Sequence, residues 1–260
     1  MSFTDIFLQA LYIVIIMMTV LWLVSIIIKN ASIVDIFWGI GFAALAVFYL
    51  IRSGEADTRK IIIVSLVVLW GLRLTFYIAW RNSGKGEDPR YRNFRRKYGE
   101  ERYWWVSFFQ VFLLQGILMW LISVTILGAV YFSSGPETGF IYYAGIILWI
   151  TGFIFEAGGD YQLAKFRSDT ANRGKVLDSG FWRYTRHPNY FGDSAVWWSY
   201  GLFCLGSGSI WPVAGSLLMT LLIIKVSGVA LLEKSLIEQK PHYRQYIEKT
   251  SSFFPWPPKK

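Results

Sequence analysis

Cysteine and histidine are almost missing from this chain: Cys204 is the one thiol, and His187 and His242 are the two imidazoles in 260 residues. An intrachain disulfide is impossible, a Cys₄ zinc site is excluded, and a His-rich metal centre lacks ligands. Charge is scarce as well. Asp, Glu, Lys and Arg make up 17% of the chain, against roughly 25% in a usual soluble domain. A dinucleotide fingerprint is also lacking, since Gly84-Lys-Gly86 and Gly206-Ser-Gly208 are lone glycine pairs without its strand–helix setting. What fills the space is apolar: 54% hydrophobic and 18% aromatic, gathered in long runs where a soluble core would interleave polar positions.

Seven runs meet the length of a spanning helix: Leu8–Ile28, Ile33–Ile51, Ile61–Trp80, Ser107–Phe132, Phe140–Gly159, Ser194–Ile210 and Trp211–Leu232. The first has no basic n-region and no cleavage site behind it, so it reads as a retained helix and not a signal peptide. The last two divide at the Gly206–Pro212 breaker cluster. The expected fold is therefore all-α and integral to the membrane, one domain over 1–260 with about seven transmembrane helices.

Basic residues set the expected orientation. Lys29, eight Lys or Arg in the 81–106 loop, six in the 163–193 loop and six in the tail share one side, against Arg52, Arg59 and Lys60 on the other. The positive-inside rule puts the N-terminus outside and the C-terminus in the cytosol. The net charge of +9 then serves topology and attraction to anionic membrane lipids, and no motif accompanies it that would indicate nucleic acid. The aromatic-basic segment Asp88–Trp105 is expected along the membrane surface, and Gln110 and Gln115 as interhelical hydrogen-bonding groups.

Four ionisable residues fall inside the runs, Asp35, Arg73, Glu156 and Lys225, and the expected topology places all four in the cytosolic half. Trp70, Arg73 and Tyr77 share one helical face, as do Glu156, Asp160 and Arg167 on a helix expected to continue past the membrane. Arg73 could equally be a structural ion-pair partner of Asp35 or Glu156.

The densest polar stretch is Leu177–Asp193, which holds two arginines, an imidazole, an amide and a carboxylate within roughly its last dozen residues. It can be read as a bare juxtamembrane loop, or as a site in which cations hold phosphates while Asn189 and Asp193 hold ribose hydroxyls or a carboxamide. Here the sequence resembles the steroid 5-alpha-reductase and sterol reductase families. Their shared signature is Gly-Trp-Trp or Gly-Phe-Trp, then Arg-His-x-Asn-Tyr-x-Gly-Asp/Glu. This chain carries Gly180-Phe181-Trp182 and Arg186-His187-Pro188-Asn189-Tyr190-Phe191-Gly192-Asp193, with Asp160-Tyr161 and Arg167 matching an upstream Asp-Tyr…Arg element. The likeness runs from the third span to the seventh and is strongest over 156–193.

The resemblance implies an NADPH-dependent reductase of an enone or similarly activated double bond in a steroid-like lipid. Its compact form implies a bacterial member, a monomer in the inner membrane, with the endoplasmic reticulum as the alternative location. By carry-over Asp160, Arg167, Lys175, Asn189 and Asp193 contact the cofactor. Arg73, Tyr77 and Asn82 join from the third span, with Arg186, His187, Glu156 (where the family has Asn) and Glu233. The first three spans form the substrate end, and residues 81–260 the cofactor site. Enone reduction develops negative charge on the ketone oxygen, which a protonated carboxyl or a donor oriented by a carboxylate would stabilise. The family uses a Gln-Glu pair and a tyrosine. Val34-Asp35 and Trp70 stand at those positions, and Asp35 and Trp70 are the expected catalytic residues.

Two other classes fit part of the pattern. Isoprenylcysteine carboxyl methyltransferases, which use S-adenosylmethionine, share an Arg-His-Pro-x-Tyr-x-Gly core, but Asn189, Asp193 and Asp160…Arg167 favour the reductases. A non-enzymatic lipid-binding protein would explain the aromatic belts and not the intramembrane charges.

Overall fold

The structure, a computed structural model, describes residues 1–133, 139–227, 233, 236–237, 240 and 243–259. All regular structure among them is helical, and the chain divides into two compact units, Met1–Gly135 and Pro136–Lys260. Five helices are long and apolar enough to cross a membrane. The chain is an integral, multi-pass membrane protein.

The first unit holds α1 (Phe3–Ile28), α2 (Ile33–Arg52), α3 (Thr58–Asn82), the short α4 (Pro89–Tyr98) and α5 (Glu100–Tyr131). A capping box of Ser2 and Asp5 starts α1, and Lys29 ends it in the left-handed region at φ 52°. Asp57 caps α3, and Asp88 with Pro89 behind it starts α4. The expected surface segment 88–105 is thus helical on both sides of a hinge at Gly99, whose φ of 82° suits glycine. The apolar run expected from Ser107 begins seven residues earlier as helix, and a π-helical turn at Phe108–Leu113 absorbs the change of register.

Helices α2 and α3 meet on facing glycines. A Cβ on Gly39 would lie 2.0 Å from the Gly71 carbonyl oxygen, and one on Gly71 2.4 Å from that of Gly39. The close approach lets Thr75 donate to the Ile36 carbonyl at 3.1 Å, the small-residue packing that membrane helices favour. The obstacle is backbone, so Gly39→Ala must push the helices apart. The expected loss is about 1–3 kcal/mol, checked as a fall in the thermal unfolding midpoint in detergent, with Gly54→Ala at an open turn as the comparison. Elsewhere polar groups are satisfied inside the unit: Trp120 donates to the Phe7 carbonyl at 2.8 Å, and the Tyr49 and Ser123 hydroxyls lie 2.7 Å apart.

The second unit holds α6 (Phe140–Ser168), α7 (Pro188–Gly206), the shorter α8 (Trp211–Lys225) and α9 (Tyr243–Lys249). As expected, α6 continues well past its apolar run. Helices α6 and α7 also cross on glycines, Gly152 against the Gly192 carbonyl and Gly192 against the Glu156 amide. Trp149 donates to Tyr200 at 3.1 Å within that crossing, and Ser216 of α8 donates to the Trp197 carbonyl at 2.6 Å. One expectation needs correcting. Residues 188–193 form the first turns of α7 and not a loop, because Pro188, with its fixed φ and missing N–H, takes the first helical position.

Candidate functional site

In the second unit the upstream element and the motif come together. Glu156 and Asp160, one turn apart on α6, and Asn189 and Asp193, one turn apart on α7, sit at the glycine crossing. The Asn189 amide donates to the Asp160 carboxylate at 3.0 Å. Gly159 allows the fit, since a Cβ there would crowd the Asn189 amide nitrogen and the Pro188 ring at 3.1 Å. Trp182 donates to the Gly159 carbonyl at 3.1 Å and the Phe181 amide donates to Gln162 at 2.9 Å, so Gly180-Phe181-Trp182 is bound directly to α6.

Arg186 and His187 are buried, at 7% and 1% exposure. The Arg186 guanidinium donates to Glu233 at 2.7 Å and to the Ile247 carbonyl at 3.1 Å, and its amide donates to the Ser251 carbonyl at 2.9 Å. His187 Nε2 lies 3.1 Å from the same Glu233 oxygen, its ring stacks on Tyr190, and its buried Nδ1 has no partner among the described residues. The tail answers from its side, with Thr185 donating to the Phe253 carbonyl at 2.9 Å and the Tyr246 hydroxyl to that of Trp182. These bonds clamp the motif to α9 and the segment behind it.

Burial would raise the Glu233 carboxyl, but hydrogen bonds from His187 and Arg186, with the Arg186 charge, outweigh it and bring it to about 2 from 4.5. Its folded pKa is thus below its unfolded one. The stabilisation is complete above about pH 4.5 and is lost as pH falls toward 2. Thermal midpoints taken from pH 6 down to pH 3 should fall for the native chain, and fall less for Glu233→Gln.

Beside this clamp is a cavity of about 70 Å³ whose walls include Arg167, Arg186, His187 and Lys240. Lys240 donates to the Lys175 carbonyl at 2.6 Å. Burial first, then the charge of Arg167, lowers Lys240 below its ordinary value. With Arg186 already paired to Glu233, Arg167 and Lys240 are two converging cations in a space of about two waters' liquid volume. That donor set fits the oxygens of a phosphate group.

Asp35, Trp70, Arg73, Tyr77 and Asn82 belong to the first unit. Asp35, in the first turn of α2, accepts from Arg90 at 2.7 Å and from the Tyr91 hydroxyl at 2.6 Å. Gln115 of α5 donates to that same Tyr91 oxygen at 3.1 Å and accepts from Trp38 at 2.7 Å, the interhelical role expected of it. Burial, then the Asp35 charge, holds the Tyr91 phenol above its ordinary range. Trp70 is fully buried, its ring 6.0 Å from that of Phe42. The Arg73 guanidinium lies 5.3 Å over the Tyr77 ring, and Asn82 accepts from Arg81 at 3.3 Å.

A family model described as protein of unknown function, DUF1295, matches residues 21–250. The chain belongs to the DUF1295 family. An uncharacterized protein of Schizosaccharomyces pombe is 29% identical over 281 aligned positions, which cover 97% of this chain and 80% of that protein. The Delta(14)-sterol reductase of Ascobolus immersus is 31% identical over 139 residues, 48% of this chain and 30% of the reductase. No solved structure matches. In this DUF1295 chain, sequence reasoning passed over Arg90, Tyr91 and Lys240 as site residues. Tyr91 is one of three aromatics on the strongly basic α4, with Phe94 and Tyr98, and nothing in the sequence marks it as the buried one.

Proposed function

We propose that the chain is an NADPH-dependent reductase that saturates an activated double bond in a steroid-like lipid. In this reading it has seven spans, an external N-terminus and a cytosolic C-terminus, and acts as a monomer. The observation that carries it is the Asn189–Asp160 hydrogen bond, which joins the two halves of the reductase-like pattern across one helix crossing. Membership in DUF1295 and the likeness to a sterol reductase support the same class.

NADPH, when bound, supplies the hydride. The chain's own residues do the rest. Asp160, Asn189 and Asp193 offer acceptors and an amide for hydroxyl and carboxamide groups, and Glu156 lies one turn away on α6. Arg167 and Lys240, with Lys175 beside them, supply phosphate-binding charge. Arg186, His187 and Glu233 hold the motif in place. At the substrate end Asp35 accepts at both oxygens, so the group with a proton to give is the Tyr91 phenol, whose O–H turns from Asp35 to the substrate oxygen and returns to Asp35 once reprotonated from solvent. Tyr91 then takes the role for which Trp70, a donor without a transferable proton, is unsuited.

Cofactor retention tests this reading. Purified protein in detergent is expected to retain NADPH and not S-adenosylmethionine, and Asn189→Ala should weaken NADPH about tenfold, because it removes both the amide offered to the cofactor and the bond that fixes the Asp160 carboxylate. Retention of S-adenosylmethionine instead would assign the site to methyl transfer, and retention of neither would defeat the proposal.

A further inference from the structure

A second cavity, of about 630 Å³, lies wholly in the first unit, where α1 ends and α5 begins with α4 across them. We propose that it binds the phosphate group of an anionic phospholipid, whose acyl chains lie along α1. The inference rests on the protein being in a membrane and not on the reductase reading.

The charge is the first argument. Lys29, Arg92, Arg95 and Arg96 line the cavity, against Glu87 and Glu100. Glu87 is already engaged, accepting from Arg95 at 2.9 Å and 3.1 Å and from the Ala31 amide at 2.8 Å. No carboxylate pairs with Lys29, Arg92 or Arg96 among the described residues. Three cations thus face one space with Glu100 as the one uncommitted acid. A helix C-terminus would ordinarily repel an anion. Here the last carbonyls of α1 are occupied, Ile26 accepting from the Lys29 amide at 3.3 Å and Ser25 from the Asn30 amide at 3.0 Å.

Tyr103 adds a second, independent observation. It lines the same cavity, is 1% exposed, and its hydroxyl has no hydrogen-bond partner among the described residues. A buried hydroxyl without a partner is costly, and a phosphate oxygen would complete it.

Position and surroundings select a lipid over free phosphate. The cavity sits at the ends of two helices long enough to span a bilayer, which is headgroup depth. Its walls include Ile26 and Trp104, and beyond them α1 exposes Leu23, Val24 and Ile27. Trp104 is fixed there by Trp22, whose indole donates to its carbonyl at 2.7 Å. Tryptophan at an interface beside basic side chains is the usual setting of an anionic lipid, and free phosphate has no use for the apolar flank.

The test titrates purified protein in neutral detergent with short-chain phosphatidylglycerol, phosphatidylcholine and inorganic phosphate, reading thermal midpoint and retention by native mass spectrometry. Phosphatidylglycerol should be retained at least tenfold more tightly than phosphatidylcholine and should raise the midpoint. Arg92→Gln/Arg96→Gln changes two exposed side chains and should abolish that preference. Arg173→Gln/Arg183→Gln, a charge-matched pair in the other unit, should keep it. Equal binding of the two lipids, or equal loss in both double variants, would overturn the site. Inorganic phosphate binding as tightly as phosphatidylglycerol would overturn its assignment to a lipid.

Discussion

Arg186→Ala is expected to lower stability by about 3 kcal/mol, the low end of the range for removing one partner of a buried ion pair, since Glu233 is partly exposed. Arg186 is 7% exposed, and its guanidinium holds Glu233 and the Ile247 carbonyl together. Its loss leaves His187 as the remaining partner of Glu233 among the described residues and loosens the tail, which keeps its bonds to Thr185, Trp182 and the backbone amide of residue 186. Lysine cannot reproduce the planar fork, so Arg186→Lys should recover only part of the loss. The checks are the thermal midpoint in detergent and limited proteolysis after Lys249. A native midpoint with an uncut tail in Arg186→Ala would mean that the clamp contributes nothing.

Asp35→Asn and Tyr91→Phe are expected to cost about 10²–10⁴ in turnover, the range for a positioned general acid, while NADPH binding stays native. Tyr91→Phe removes the hydroxyl and little volume, so the loss should fall on kcat. Asp35→Asn removes one of the two carboxylates that hold Arg90, Asp88 being the other, and turns one acceptor into a donor facing the phenol, so stability should fall too. Turnover by Tyr91→Phe within threefold of native would remove Tyr91 from the reaction. If Asp35→Asn were equally active with cofactor bound, Asp35 would be a structural anchor for α4 and no more.

These residues also mark where the sequence was legible. Hydrophobic runs located the long helices, since in a membrane the backbone must bond to itself and apolar length alone signals a helix. Spacing put Glu156 and Asp160 on one face, and Pro188 carried a helix-start signal that would have moved Asn189 and Asp193 out of the loop. Helix periodicity does not reach distant partners. Asp35 meets Arg90 and Tyr91 because the 83–88 turn folds α4 back onto the start of α2, where Glu87 and Asp88 bond to Ala31 and Ser32. Glu233 meets Arg186 across 47 residues. Such pairings depend on loop geometry that no local pattern encodes.

The most direct measurement follows nicotinamide absorbance while purified protein is incubated with NADPH and a panel of enone steroids. Absorbance should fall with at least one enone, leaving a product saturated at the former double bond. The fall should slow at least tenfold in Asn189→Ala and Tyr91→Phe. Undiminished absorbance with every enone, from protein that demonstrably retains NADPH, would contradict the reductase reading.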